Sequence, residues 1–583
     1  MVDGIGAGPH LEDQSFHSRR AMTELVRDQI AVFIAEGLRA AQEGGALPEF
    51  ETPEVAVEQS RHPEHGDYAS PVCLRLAKEA RMAPRDIALR VIEHLPQAPL
   101  VGQVEVAGPG YINVKLSTGW LVAQVPQILE AGQHWGHVDR GRGQRVQVEF
   151  VSANPTGPIT VASARNAVIG DTLAGVLDAA GFEVEREYYV NDAGSQVRKF
   201  GESVFARYAQ ALGRDEPFPE DGYRGDYVAE IGQQMAQEYG DQYLGVSRRD
   251  AVRALGSEGI ARMIELIGQD LASLGVVFDT WFHESSLYSS GLFDRILEGL
   301  RGKGHIVERD DAVWFTSPEL DADAVVIRSP RVIAEPSERP TYFASDIAYL
   351  WNKLAERGFD RAIYVWGADH HGDMPRVKAA APALGLDAER VEIILYQMVN
   401  LKRGGEDVRM SKRAGEFVTL RELLDEVGPD PIRFMLLTRT VDATIDFDLD
   451  LAVEQSDKNP VYYVQYAHAR ICSMLRFAAD LGWDLDAPGD VSLLTHESEL
   501  ALIRKMLDLP EIVAMAAMQR APHHLTFYAQ ELASTFHAFY RDCRVVSPEE
   551  PQQTQARLML VRAARLTLAR ALELLGVSTP ERM

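Results

Sequence analysis

The sequence predicts an α/β protein centred on a parallel, nucleotide-type sheet, with a small α+β unit before it and an all-helical unit after it. Three stretches carry this expectation. Arg145–Val151 sets Val146, Val148 and Phe150 in strand alternation, and the loop Ser152-Ala-Asn-Pro-Thr-Gly-Pro158 follows. From Ser163 the apolar positions Ile169, Leu173, Val176, Leu177 and Ala180 repeat as in an amphipathic helix, which Gly181 stops. Glu183–Val190 then reads as a second strand. Strand, loop, helix, strand opens a parallel α/β fold, in which ligands sit beyond the carboxyl ends of the strands.

In chain order, the first 20 or so residues have the polar composition of a flexible terminus (1–20). An N-terminal unit (21–138) starts with a helix carrying Leu25, Ile30, Phe33, Ile34 and Leu38, and closes with two strands around Gly108-Pro-Gly110. The central domain spans 139–445, with a helical stretch at about 195–305; its α/β pattern resumes near Ala324–Arg328 and Ala362–Trp366. From about 446 to 583 the periodicity is helical throughout.

Composition bounds the function. The 583 residues are 46% hydrophobic and 25% charged, as in soluble globular proteins. No apolar run is long enough to span a bilayer, and no secretory signal opens the chain. The three cysteines, Cys73, Cys472 and Cys543, form no CxxC pair, which fits a reducing cytoplasm. The net charge of −27 runs against a nucleic-acid partner, so any such claim rests on local basic patches and on motifs.

The motifs narrow the chemistry. There is no GxxxxGK[ST] loop and no kinase or GxSxG pattern. Val408–Thr419 instead places Ser411, Lys412 and Arg413 in a Gly-containing loop, where mobile cations can stabilise a triphosphate as a carboxylate attacks its α-phosphate. Arg409-Met-Ser-Lys-Arg413 resembles the KMSKS loop of class I aminoacyl-tRNA synthetases. Glu149–Pro158, Glu187–Gly194, Thr341–Ala348 and Val365–Gly372 resemble successive parts of the arginyl-tRNA synthetase site. Pro63–Tyr68 resembles that family's additional N-terminal domain; Asn459–Arg470 and Leu575–Met583 resemble the start and end of its anticodon-binding domain. The likeness covers essentially the whole chain, in order.

This resemblance implies a Rossmann-like class I catalytic domain and an arginine–tRNA ligase that forms arginyl-adenylate from arginine and ATP with Mg2+, then esterifies the 3′ end of tRNA-Arg. A cytoplasmic monomer without a protein-bound metal is implied. Asp346 and Tyr342 would hold the guanidinium, and Glu149 and Asn154 the α-amino end, although the Glu149 and Asp346 roles could be exchanged. Asn191 and Asp192 would line the same pocket. ATP would lie against Thr160, Ala162, Ser163, Gly367, His370, His371, Met410 and Lys412; His370 and His371, adjacent on an extended chain, would point apart. Ser411, Lys412, Arg413, Thr160 and Ser163 would carry the catalysis. The tRNA would meet Tyr68, Tyr462, Tyr466, Arg470, Arg544 and Met583, combining cations with stacking faces.

One departure stands out. Where the family carries His-x-Gly-His, this chain has Thr160-Val-Ala-Ser163. Those histidines donate to the ATP phosphates, and losing one such donor costs about 10²–10³ in rate. A second reading is therefore a catalytically weak paralogue that binds tRNA or arginine; a third is a ligase making another arginine ester or amide.

Overall fold

The computed structural model describes residues 22–60, 65–333, 338–408 and 418–583. The expected flexible segment 1–20 lies outside them, as do Met410, Ser411, Lys412 and Arg413.

Helix α1 (Val26–Glu43) buries Ile30, Phe33, Ile34 and Leu38, the stripe its sequence sets out, and ends at Gly44 and Gly45. Strands β1 (Glu58–Gln59), β2 (Tyr68–Ser70), β3 (Val101–Ala107) and β4 (Tyr111–Leu116) form an antiparallel sheet in the order β1-β2-β4-β3. The Gly108-Pro-Gly110 turn joins β3 to β4 as expected. Helices α2 (Val72–Ala80), α3 (Pro84–Glu93) and α4 (Thr118–Ala131) complete this unit.

The central sheet contains β5 (Arg145–Glu149), β6 (Glu183–Val190), β7 (Thr280–His283), β11 (Arg361–Gly367) and β12 (Val391–Tyr396), all parallel, in the order β12-β11-β5-β6-β7. The register aligns Tyr364 with Glu149 and Glu149 with Glu187. The chain winds outward from β5 in both directions, so the crevice between β5 and β11 is the switch point where such sheets bind ligands. Helix α5 (Val161–Ala179) is buried on almost every side, not amphipathic as its periodicity suggests. Its intervening positions are small or polar residues that fit between the sheet and the C-terminal helices, and even Arg165 and Asn166 are enclosed.

Between β6 and β7, helices α6 (Ser195–Ala211), α7 (Asp226–Tyr239) and α8 (Arg248–Ser273) enclose their own core around Phe200, Tyr208, Met235 and Leu255. The expected helical stretch to 305 is thus broken by β7, a four-residue strand too short to show alternation. Helices α9 (Glu284–Ser289) and α10 (Leu292–Gly302) follow. Strands β8 (Ile306–Arg309), β9 (Ala312–Phe315) and β10 (Ala324–Ile327) make a separate antiparallel sheet, so Ala324–Arg328 does not resume the parallel one. Helix α11 (Tyr342–Trp351) runs into a π-helical turn, Asn352–Glu356. Helix α12 (Met374–Leu384) connects β11 to β12.

After β12 come β13 (Val399–Arg403), β14 (Glu406–Asp407), α13 (Leu420–Val427), α14 (Pro429–Met435), β15 (Ile445–Asp448) and α15 (Leu449–Val453). Four long helices, α16 (Pro460–Asp480), α17 (Glu497–Gln519), α18 (His524–Asp542) and α19 (Pro551–Leu574), form the C-terminal unit. The N-terminal unit docks on α17 through Arg27–Glu511 at 2.6 Å, Arg504–Asp67 at 2.9 Å and the Gln59 amide donating to Asp508 at 2.9 Å.

Candidate active site

Beyond the end of β5 the backbone turns sharply. Val151 has φ 67° and Ser152 φ 41°, left-handed conformations that are costly for a β-branched valine. The surroundings hold this strain in place. The Val151 N–H donates to Asn166 Oδ1 at 2.8 Å, and Asn166 Nδ2 donates to the Val365 carbonyl at 2.9 Å. The Tyr188 hydroxyl donates to the Ala153 carbonyl at 2.8 Å, and the Tyr189 N–H donates to Ser152 Oγ at 3.1 Å. One buried asparagine on α5 therefore ties β5 to β11 and sets the loop that carries Asn154.

Carboxylates from four elements converge beneath this loop. Glu149, at the end of β5, is buried and pairs with the fully buried Lys353 at 2.5 Å, while its other oxygen accepts from Ser152 Oγ at 3.2 Å. Glu187, on β6, pairs with Arg357 at 2.6 Å and accepts from Tyr349 and Gln147. Asp346, on α11, has no hydrogen-bond or ion-pair partner among the described residues. Burial, then the charges of Glu149 and Glu284, hold its carboxyl well above the ordinary range. Glu284 opens α9; one oxygen accepts from Ser345 Oγ at 2.6 Å, while the other is buried without a partner. Burial raises its pKa as well. The Tyr189 hydroxyl is likewise buried and unpartnered. A site with two buried carboxyls short of partners and a waiting hydroxyl is built for a multidentate cationic donor.

The predicted residues fall unevenly around this pocket. Tyr342 lies one helical turn from Asp346 and is half exposed at its mouth. Asn154 is exposed on the loop, and Asn191 is half buried. Asp192 does not line the pocket as a free carboxylate. It accepts from the Ser285 N–H and hydroxyl, each at 2.8 Å, and pairs with His283 at 2.8 Å. It therefore fixes the β7–α9 turn on both sides of Glu284. Glu284, Tyr189 and Lys353 are the residues that sequence reasoning missed. An acidic residue after a short aromatic strand (Trp281-Phe-His283) is a faint signal for the first; Tyr189 lies within the Glu187–Gly194 motif, and nothing local marks Lys353.

The residues expected to meet ATP lie across the switch point. Thr160 precedes α5 with Ala162 and Ser163 in its first turn. The Val161 N–H donates to the Val418 carbonyl at 3.2 Å, and the Leu420 N–H donates to the Ile159 carbonyl at 2.8 Å. Val418 and Leu420 are thereby stitched beside Thr160. Gly367 ends β11. His370 and His371 occupy a 3-10 turn, not the extended chain expected; both are exposed, with His370 beside Asp373 at 3.4 Å and its ring 5.9 Å from that of Trp366.

On the C-terminal unit, Tyr462 and Tyr466 stack with centroids 6.3 Å apart, and Arg470 lies over Tyr540 at 4.4 Å. Arg544 and Met583 are exposed on the same unit. Tyr68 does not present an RNA-binding face. It is buried against α17, and burial with Asp508 and Glu511 raises its pKa well above tyrosine's ordinary value. A tyrosine between a histidine-glycine turn and a strand looks exposed in sequence; here β2 turns it inward.

Three family models match consecutive parts of the chain: "Arginyl tRNA synthetase N terminal domain" over 28–116, "tRNA synthetases class I (R), catalytic domain" over 124–217 and 245–435, and "DALR anticodon binding domain" over 464–583. The arginine–tRNA ligase of Dehalococcoides mccartyi strain CBDB1 is 47% identical over 560 residues, covering 96% of this chain and 99% of its own. The chain belongs to the arginyl-tRNA synthetase family. The Bacillus subtilis arginine–tRNA ligase is 43% identical over 560 residues, covering 96% of this chain and 100% of its own. The solved Thermus thermophilus arginyl-tRNA synthetase superposes with a TM-score of 0.74 at 26% identity, covering 96% of this chain and 100% of its own. The fold is therefore that of the family's three parts, and the catalytic match encloses Glu149, Glu284, Asp346 and Lys353. The anticodon-domain match takes in Tyr466, Arg470, Arg544 and Met583 and begins two residues after Tyr462.

Proposed function

We propose that this chain joins arginine to tRNA-Arg in two steps. The carboxylate of arginine attacks the α-phosphate of ATP, forming arginyl-adenylate and releasing pyrophosphate. A ribose hydroxyl of the terminal tRNA nucleotide then attacks the activated carbonyl, forming the ester and releasing AMP. ATP enters as its Mg2+ complex, the metal arriving on the triphosphate as part of the substrate.

The observation that carries the arginine assignment is Asp346, a carboxyl without a hydrogen-bond or ion-pair partner among the described residues, in the field of Glu149 and Glu284 and one turn from Tyr342. A guanidinium supplies five donors in a planar fork and satisfies several acceptors at once. Asn154 and Glu149 then take the α-ammonium. Thr160, Ser163 and the first turn of α5 face the phosphates, with Gly367, His370 and His371 on the adenine side, and Met410, Ser411, Lys412 and Arg413 keep the role that the family resemblance gives them toward the triphosphate. The first step needs no general base, because the attacking carboxylate is already ionised; positioning and electrostatics carry it. Tyr462, Tyr466, Arg470, Arg544 and Met583 form the surface that reads the anticodon. The three buried, unpaired cysteines support a cytoplasmic setting, and no helix among the described residues is long and apolar enough to cross a membrane. The family resemblance supports a monomer as the active form.

The test is aminoacylation of tRNA-Arg with labelled arginine and Mg·ATP, comparing the unmodified protein with Thr160→His/Ser163→His. Robust charging by the unmodified protein is expected. Absence of charging that the two histidines restore would leave a tRNA-binding paralogue.

A further inference from the structure

Arginine presents two cationic ends, and the pocket places Asp346 within the field of both Glu149 and Glu284. Were all three bare, either end of the substrate could bind at either end of the pocket. A reversed arginine would carry its carboxylate away from the α-phosphate. The geometry distinguishes the ends through a residue of no assigned role. Lys353 has no exposed side-chain surface; its ammonium sits 2.5 Å from Glu149 and 3.9 and 3.7 Å from the ring centres of Tyr349 and Tyr364. It lies seven positions after Asp346, in the π-helical turn that continues α11.

We propose that Lys353 is a positioning residue that sets the polarity of the arginine pocket: by balancing Glu149, it leaves Asp346 and Glu284 as the unpaired negative end that draws the guanidinium. The inference rests on the reading of this pocket as the arginine site. Glu149 spends one oxygen on Lys353 and shares the other with Ser152, so it retains acceptor capacity for one ammonium hydrogen bond but not for a bidentate fork. The cation between two ring faces has little freedom to leave. Glu149 otherwise faces Asp346 and Tyr349 from α11, Glu187 and Tyr189 from β6, and Tyr364 from β11. None of these is a cation, so no other group on these elements can replace Lys353; Arg357 is committed to Glu187 and Glu185.

The experiment uses the full-length protein with Lys353→Met, Glu149→Gln and the double variant. Aminoacylation gives KM and kcat for arginine between pH 6.5 and 8.5, and methylguanidine, a guanidinium without an amino-acid end, serves as competitor. Removing the cation from a buried ion pair makes the remaining charged form costly, so protonation competes more readily as pH falls and the α-ammonium is held less well. Lys353→Met is expected to raise the arginine KM about tenfold, with a steeper rise toward pH 6.5 than the unmodified protein and little change in KM for ATP. The double variant removes both buried charges, a change that cores tolerate. It should lose the extra slope, keep a high arginine KM, and bind methylguanidine as the unmodified protein does. A Lys353→Met slope equal to the unmodified one, or loss of methylguanidine binding in the double variant, overturns the inference. If Lys353→Met does not fold, the double variant decides. An unchanged arginine KM in Glu149→Gln would sink the pocket assignment itself, whereas a raised KM there with unmodified methylguanidine and pH behaviour throughout sinks only the role of Lys353.

Discussion

Asp346 is a carboxylate kept in a place that suits a neutral acid. Its folded pKa lies well above the ordinary value because burial and two like charges oppose ionisation. An acid whose pKa is raised on folding binds protons more readily folded than unfolded. Its contribution is therefore present at low pH and lost as pH rises through the folded pKa. Asp346→Asn should accordingly raise the melting temperature of the empty protein at pH 8, and less so at pH 5, while arginine-dependent charging falls by at least about 10²-fold. A variant that is both less stable and inactive at pH 8 would contradict this. Legibility at this scale was partial. Tyr342 and Asp346 stand four apart on one helix, a local relation that sequence displays. Glu284 and Tyr189 reach the pocket from other elements, and Asp192 is drawn away by Ser285 and His283, 93 and 91 residues distant.

Helix α5 does more than the periodicity of its apolar residues conveys. A Cβ at Gly170 would lie 2.2 Å from Phe150 Cγ, so the glycine lets the helix approach β5 closely. Gly170→Ala should destabilise by about 1–3 kcal/mol, read as a lower urea midpoint at unchanged m-value. Asn166→Ala would strand the Val151 N–H and the Val365 carbonyl, costing about 1–3 kcal/mol for each group left unsatisfied, and would relax the strained loop that presents Asn154. The arginine KM should rise with it. Arg165 is fully buried and donates to the carbonyls of Gln397, Thr440 and Ala443 at 2.6–3.0 Å, joining α5 to the end of β12 and to the segment before β15. Sequence periodicity located this helix and both adjoining strands. It missed the burial on all sides because alanine, glycine and threonine between the larger residues look neutral until a second layer covers them.

Across the whole molecule, an acidic chain must bind a polyanion. The net charge of −27 is spread over three units, whereas the aromatic–cation platform is local. Arg470 lies against Tyr540 and accepts stacking company from Tyr466, so it joins charge to a base-sized surface. Arg470→Ala should raise the KM for tRNA-Arg about tenfold with the arginine KM unchanged, and should shallow the salt dependence of tRNA binding by about 0.7 in log–log slope. Equal effects on both substrates would place Arg470 in a general structural role. The docking of the N-terminal unit on α17 brings the first and last parts of the chain together through polar contacts that no local pattern announces.

The sequence by itself determined the parallel α/β centre, the helical C-terminal unit, the Tyr342–Asp346 pair and, by resemblance, the family. These depend on periodicity and on motifs whose residues lie within a turn or a loop of one another. The tertiary structure alone decided which carboxylates are bare and which are balanced, that β7 joins the central sheet, and that Tyr68 faces inward. Charge compensation and burial depend on distances between residues as far apart as Glu149 and Lys353, 204 positions in sequence, and only the folded chain fixes those distances.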